Sequence, residues 1–165
     1  MDQLTEEVKD IAIDLEWQHF LFDDEDLKGI CFSPEECEPV FLTFTTNNKL
    51  CSPVSIMYNQ PGDPFYYTIF TKTQFAGIDV HITVLKLLYY LQQKYFADFE
   101  LEDEGLYWNV WDEKILQQQF DKYNYALNIV TSALENFQSI PGETVLSLAE
   151  RLEQWLKERL GNDKK

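Results

Sequence analysis

The chain has two histidines, three cysteines and six glycines, and each shortage removes a kind of chemistry. His19 and His81 stand far apart. Neither falls in an H-x-x-x-H or H-E-x-x-H pattern that would turn two imidazoles toward one metal. Asp79 precedes His81 by two positions, a spacing that sends the side chains to different faces of a helix. The glycines are too scattered for a dinucleotide fingerprint, and no G-x-x-x-x-G-K-S/T phosphate loop is present. Cys31, Cys37 and Cys51 form an odd set without a paired C-x-x-C, which excludes the common zinc patterns. A cysteine nucleophile needs an electropositive setting. Cys37 instead lies among Glu35, Glu36 and Glu38, whose charges raise a thiol pKa. Cys31 and Cys51 fall in expected strands, where small buried thiols are common.

No apolar run approaches the ~18 residues of a membrane span. The start, Met1-Asp2-Gln3-Leu4-Thr5-Glu6-Glu7, is acidic where a secretory leader is basic and then apolar. Together with the odd cysteine count, this predicts a cytoplasmic protein with no membrane partner.

Basic residues are the other scarcity. Thirteen Lys and Arg face 29 Asp and Glu, for a formal net charge of −16. The imbalance is local. Residues 1–39 hold thirteen acids against Lys9 and Lys28, and residues 98–113 hold seven acids and no base. Residues 40–97 carry two more bases than acids, and 114–165 balance. Both acidic blocks would repel a phosphate backbone, so no nucleic-acid partner is expected. A basic protein partner is the natural complement.

What the chain does have is apolar and aromatic material, 45% and 15% of residues. That is enough for a large, ring-rich core. The length predicts one domain over 1–160, with 161–165 as a frayed tail. Leu4, Val8, Ile11 and Leu15 make one helical stripe, a short N-terminal helix. Trp17 to Leu27 reads as a connector. From about 29 to 72 the signal is extended. Gly29-Ile30-Cys31-Phe32 is a short strand. Residues 40–46 are rich in β-branched and aromatic side chains, and Asn47-Asn48 suit a tight hairpin turn. The return strand over 50–57 contains Pro53, which makes it an edge. After the turn Gln60-Pro61-Gly62-Asp63-Pro64, residues 65–71 read as the strongest strand.

Gly77 marks a change to helical period. Residues 78–97 carry apolar stripes on two sides, the mark of a helix buried between other elements. A third helix, 113–137, has Leu116, Phe120, Tyr123, Leu127, Val130, Leu134 and Phe137 in unbroken alternation of four and three. This stripe is expected to be core rather than a coiled-coil seam. Pro141-Gly142 end it, and Glu143 or Thr144 opens a last helix over 145–160. The fold class is therefore α+β: an antiparallel sheet at about 29–72, packed with three long C-terminal helices and a short N-terminal one.

The acidic run from Asp98 to Glu104 invites a calcium loop, which needs Gly at position 6 and Glu at position 12. Counting from Asp98 puts Asp103 at position 6. Counting from Glu100 puts Gly105 there but Trp111 at position 12. Neither register works, so no metal, cofactor or catalytic residue is assigned. The run leads directly into Tyr107, Trp108 and Trp111. Rings supply contact area and cation–π attraction, and acids supply steering. Glu100, Glu102, Asp103, Glu104, Tyr107, Trp108 and Trp111 are the candidate partner-binding residues, with the three rings as core plugs between helices as the plainer reading. The expected function is a non-catalytic acidic module for a basic partner, like a toxin neutraliser, an immunity protein or a small chaperone. A small hydrolase or transferase using paired carboxylates is the second class that the composition admits.

Calcium, magnesium and zinc are expected to leave the melting temperature unchanged. A saturable rise of several degrees, abolished by Glu100→Gln with Glu102→Gln, would overturn the exclusion of metal.

Overall fold

The computed structural model describes residues 2–58, 61–136, 140 and 142–161. Gln60, Phe137, Pro141 and residues 162–165, on which some expectations fall, lie outside these. The elements are α1 (Asp2–Asp14), β1 (Gln18–Asp23), β2 (Leu27–Ser33), β3 (Val40–Thr45), α2 (Pro53–Tyr58), α3 (Ile78–Tyr95), α4 (Tyr107–Val110), α5 (Glu113–Asn136) and α6 (Val145–Gly161). The fold is α+β, with a three-stranded antiparallel sheet in the order β1-β2-β3. Contacts gather into two compact units, Met1–Leu101 and Glu102–Lys165. Gly161, placed in the tail by its sequence, closes α6. Among the described residues no helix is long and apolar enough to cross a membrane.

In the first unit, α1 and α3 cover one face of the sheet. Leu4, Val8 and Ala12 of α1 meet Ile30 and Phe32 of β2 and Val40, Leu42 and Phe44 of β3, and Val84, Leu87 and Leu91 of α3 complete the cluster. Trp17 stacks on Phe32 at 5.3 Å, nearly parallel. The Asn47-Asn48 turn forms as its sequence predicts. Asn48 takes φ 56°, and Thr45 N–H donates to the Lys49 carbonyl at 2.9 Å.

Three segments depart from expectation. The connector over 17–27 contains β1, paired with β2 from Gln18↔Ser33 to Asp23↔Lys28. Apolar residues on both faces hide the alternation, and the acids after it form the tight turn, where Asp24 N–H donates to the Leu27 carbonyl at 3.0 Å. The expected strand 50–57 is reduced to a bridge, Phe44↔Leu50, followed by α2. Ser52 Oγ accepts the Ser55 N–H at 3.0 Å, and Pro53 takes the first helical position, where its missing N–H costs nothing. The expected strand 65–71 is irregular. Asp63 accepts the Phe65 N–H on its side chain at 2.7 Å and the Tyr66 N–H on its carbonyl at 3.1 Å, which turns the chain. Ring-rich sequence favours a strand where a half-buried pleated surface receives it; here Tyr66 alone of Phe65, Tyr66 and Tyr67 is buried. The sheet thus spans 18–45 rather than 29–72.

In the second unit α5 packs on α4 and α6. Leu116 and Phe120 are buried, Tyr123 and Val130 half-buried, and Leu127 is 42% exposed, with Leu134 more so. The expectation that the whole stripe is core fails beyond Phe120. Helix α5 has 24 residues, about 36 Å, whereas α4 is four residues long and reaches only its first turns. Thr144 opens α6 as expected, its Oγ1 accepting the Ser147 N–H at 3.2 Å. Arg151 grips Glu143 with two nitrogens at 3.0 and 2.8 Å.

Leu91→Ala, at a site with no exposure, should cost about 2–5 kcal/mol. Leu127→Ala should cost no more than about 0.5 kcal/mol, as at other open sites. Urea melts of the two variants check the assignment.

Candidate functional site

Asp103 is 8% exposed and builds the acidic-aromatic turn. One carboxylate oxygen accepts the Gly105 N–H at 2.8 Å and the other the Trp108 N–H at 2.9 Å, so its charge is spent at the start of α4. Leu106 and Trp111 bracket α4 in the left-handed region, at φ 64° and 52°. Tyr107 is buried beneath, with its ring edge-on to Trp111 at 5.2 Å. Trp108 is half-buried and lies 5.9 Å from Trp111. Trp111 itself is 41% exposed, beside exposed Leu106 and Val110. Glu102 and Glu104 are exposed in the same unit, and Glu100 is exposed at the end of the other. Of the seven candidate residues, Glu100, Glu102, Glu104 and Trp111 therefore offer surface, and Asp103 and Tyr107 form the framework. The capping role of Asp103 was readable in Asp-Glu-Gly, an Asx-turn signature.

A second acidic-aromatic surface, which the sequence did not flag, lies on the first unit. Phe22, Leu27, Pro53, Ile56 and Met57 line a groove of about 440 Å³, rimmed by exposed Asp24, Glu25 and Asp26. Leu27 is buried there against Cys51 and Tyr66, with Phe22 and Ile56 packed alongside. This is the sheet face away from α1 and α3. Phe20, Cys31 and Phe41 sit opposite one another across its strands, and Phe20 is 62% exposed. A neighbouring recess of about 450 Å³ runs between Phe41, Val54, Tyr58, Phe65 and Phe70. Met57 is 71% exposed, and Tyr58, Phe65 and Phe70 are similarly open. The readable signal was Ser52-Pro53, an N-cap followed by a first-turn proline, which would have placed α2 over this face.

The titratable groups do other work. Glu7 on α1 accepts from Lys94 Nζ at 2.8 and 2.9 Å and from the hydroxyls of Tyr90 and Tyr95, all on α3. The Lys94 hydrogen bond, then those of the two tyrosines, hold its carboxyl down at about 2. Asp23, Glu143 and Glu153 are also held low, each chiefly by hydrogen bonding to a cation. A carboxylate held low is a poor general acid. Burial pushes all three thiols up, Cys37 to about 11 with help from Glu38, so they are weak nucleophiles at neutral pH. His81 is buried and its Nδ1 shares a 2.6 Å hydrogen bond with the Thr73 hydroxyl. Among the described residues no group of three or more His, Cys, Asp or Glu is arranged to hold a metal ion. The chain matches no protein-family model, no curated protein and no solved structure.

Glu7 ties α1 to α3, and its effect on stability has a defined sign. Its folded value of about 2 lies below the ordinary glutamate value of 4.5, so the stabilisation is complete above the unfolded pKa and fades as pH falls toward the folded one. Glu7→Gln should lower the urea midpoint at pH 7. The gap to wild type should narrow as pH falls below about 4.5. A gap that does not change with pH would mean that the carboxylate charge is not what joins the helices.

Proposed function

We propose that this protein is a non-catalytic acidic binding module that engages a basic protein partner, as a toxin neutraliser or small acidic chaperone would. One observation carries the reading: in the groove over the outer sheet face, exposed Met57, half-buried Phe22 and Ile56, and a row of carboxylates share one concave surface. Met57, backed by Phe22 and Ile56, supplies the anchor, and the acids supply steering and a preference for Lys or Arg. The turn with Glu102, Glu104 and Trp111 is a second, smaller surface of the same chemistry. Free thiols at Cys31, Cys37 and Cys51 support a reducing cytoplasm as its setting.

Retention of a basic protein from source lysate, followed by kinetics on the purified pair, tests the reading. Association should slow at least about tenfold as ionic strength rises from ~0.01 to ~0.15 M. Asp24→Asn, Glu25→Gln and Asp26→Asn together should slow association about threefold or more, and Met57→Ala should speed dissociation about tenfold. Glu102→Gln with Glu104→Gln, and Trp111→Ala, ask the same of the smaller surface. A partner indifferent to salt and to both sets of charge changes would refute the acidic-module reading.

A further inference from the structure

We infer that the free edge of β1 takes an extended basic segment as a fourth strand, alongside the groove. The inference rests on the basic-partner reading and gives it a binding mode. The ladder settles which main-chain groups are available. Cys51 N–H donates to the Thr43 carbonyl at 2.9 Å, so Thr43 turns its main chain away from β2. Gly29, opposite Thr43, then turns toward β1 and its partner Phe22. Antiparallel pairing alternates along the strand. Phe22, Phe20 and Gln18 therefore face β2, and the N–H and C=O groups of His19, Leu21 and Asp23 point outward. Among the described residues no main-chain hydrogen bond reaches that edge.

The two edges of the sheet are treated differently. The outer edge of β3 is partly filled by residues 49–51, through Thr45, Phe44 and Thr43. Among the described residues the β1 edge lacks most of the usual protection, its one charged side chain being Asp23 at the end. Folded proteins blunt such edges with Lys, Pro, bulges or a covering loop. β1 has no Lys and no Pro, its register runs through six pairs without a bulge, and five of its six residues are exposed.

Charge selects the occupant. Asp14 and Glu16 precede β1, and Asp23-Asp24-Glu25-Asp26 end it. A second copy of this chain pairing antiparallel through β1 would bring the 23–26 turn of one copy beside Asp14 and Glu16 of the other, acid against acid. A strand with Lys or Arg at both ends, about 20 Å apart, meets an acid cluster at each. Its alternate side chains would continue the row of Phe20 and Phe22, which pack edge-on at 5.1 Å.

The probe is a capped octapeptide, Lys-Lys-Val-Thr-Val-Thr-Lys-Lys, with two analogues: one N-methylated at its four central residues, one with Glu for every Lys. Saturation with the parent peptide should slow hydrogen exchange of the His19, Leu21 and Asp23 amides about tenfold or more. N-methylation should weaken binding at least about tenfold, and the Glu peptide should not bind. His19→Lys, which adds an edge cation without touching the core, should weaken the parent peptide and leave the melting temperature unchanged. Equal binding of the parent and methylated peptides, with no protection at the three amides, overturns the strand mode and leaves the basic-partner reading standing. No preference for the Lys peptide over the Glu peptide overturns both.

Discussion

At Gly29 a Cβ would fall 2.2 Å from the Leu42 carbonyl oxygen, closer than any side chain allows. The residue also holds φ +136°, which L residues with a side chain rarely adopt. β2 can lie against β3 in its observed register because this position is glycine. Much of the first unit follows from that pairing. Ile30 and Phe32 of β2 meet α1 and α3 in the main core. Leu27 leaves on the opposite face to meet Cys51 and Tyr66. β1 is added to the remaining side of β2, which makes it the outer strand. The closed face and the open groove are therefore two sides of one ladder, and the free edge of β1 is a further consequence of it.

How much of this was legible depends on which physical rule governed each segment. The helices were readable because a long segment repeats its period many times: α3 and α5 begin within a residue of their expected starts, Ile78 and Glu113. The turn at Asn47-Asn48 was readable because few residues tolerate its positive φ. β1 was not, because Phe20, Leu21 and Phe22 are apolar on both faces and the two-residue period vanishes. Pro53 is ambiguous because a proline has two favourable places, an edge strand and a first helical turn, and the preceding Ser52 decides between them. Leu127 shows a different limit. A stripe records which face of a helix is apolar, while burial depends on how far the covering elements reach.

The candidate site divides along the same line. In the turn from Glu100 to Trp111 the sequence identifies the right residue types, but it cannot separate Asp103, whose carboxylate closes the turn from within, from Glu102 and Glu104 outside it. The groove under Asp24, Glu25 and Asp26 is beyond reach, since it needs α2 brought over a sheet face from some thirty residues away, and the helix start that does so reads as a strand. Local signals find caps and turns; a concave surface is made by distant segments meeting.

Exposed apolar side chains and an unprotected strand edge together are an aggregation hazard in most proteins. Here they lie beside the most acidic quarter of the chain, residues 1–39. Like charge opposes pairing of one copy with another. On the proposed basic partner the same acids would act with opposite sign. At physiological ionic strength their reach is about 8 Å, so they would guide its approach and select its charge but hold it weakly. Apolar side chains in the groove and the inferred main-chain hydrogen bonds along β1 would act only at contact and be little affected by salt. In the proposed complex, charge would thus set the rate of association and the choice of partner, while the apolar groove and the strand edge would set its lifetime.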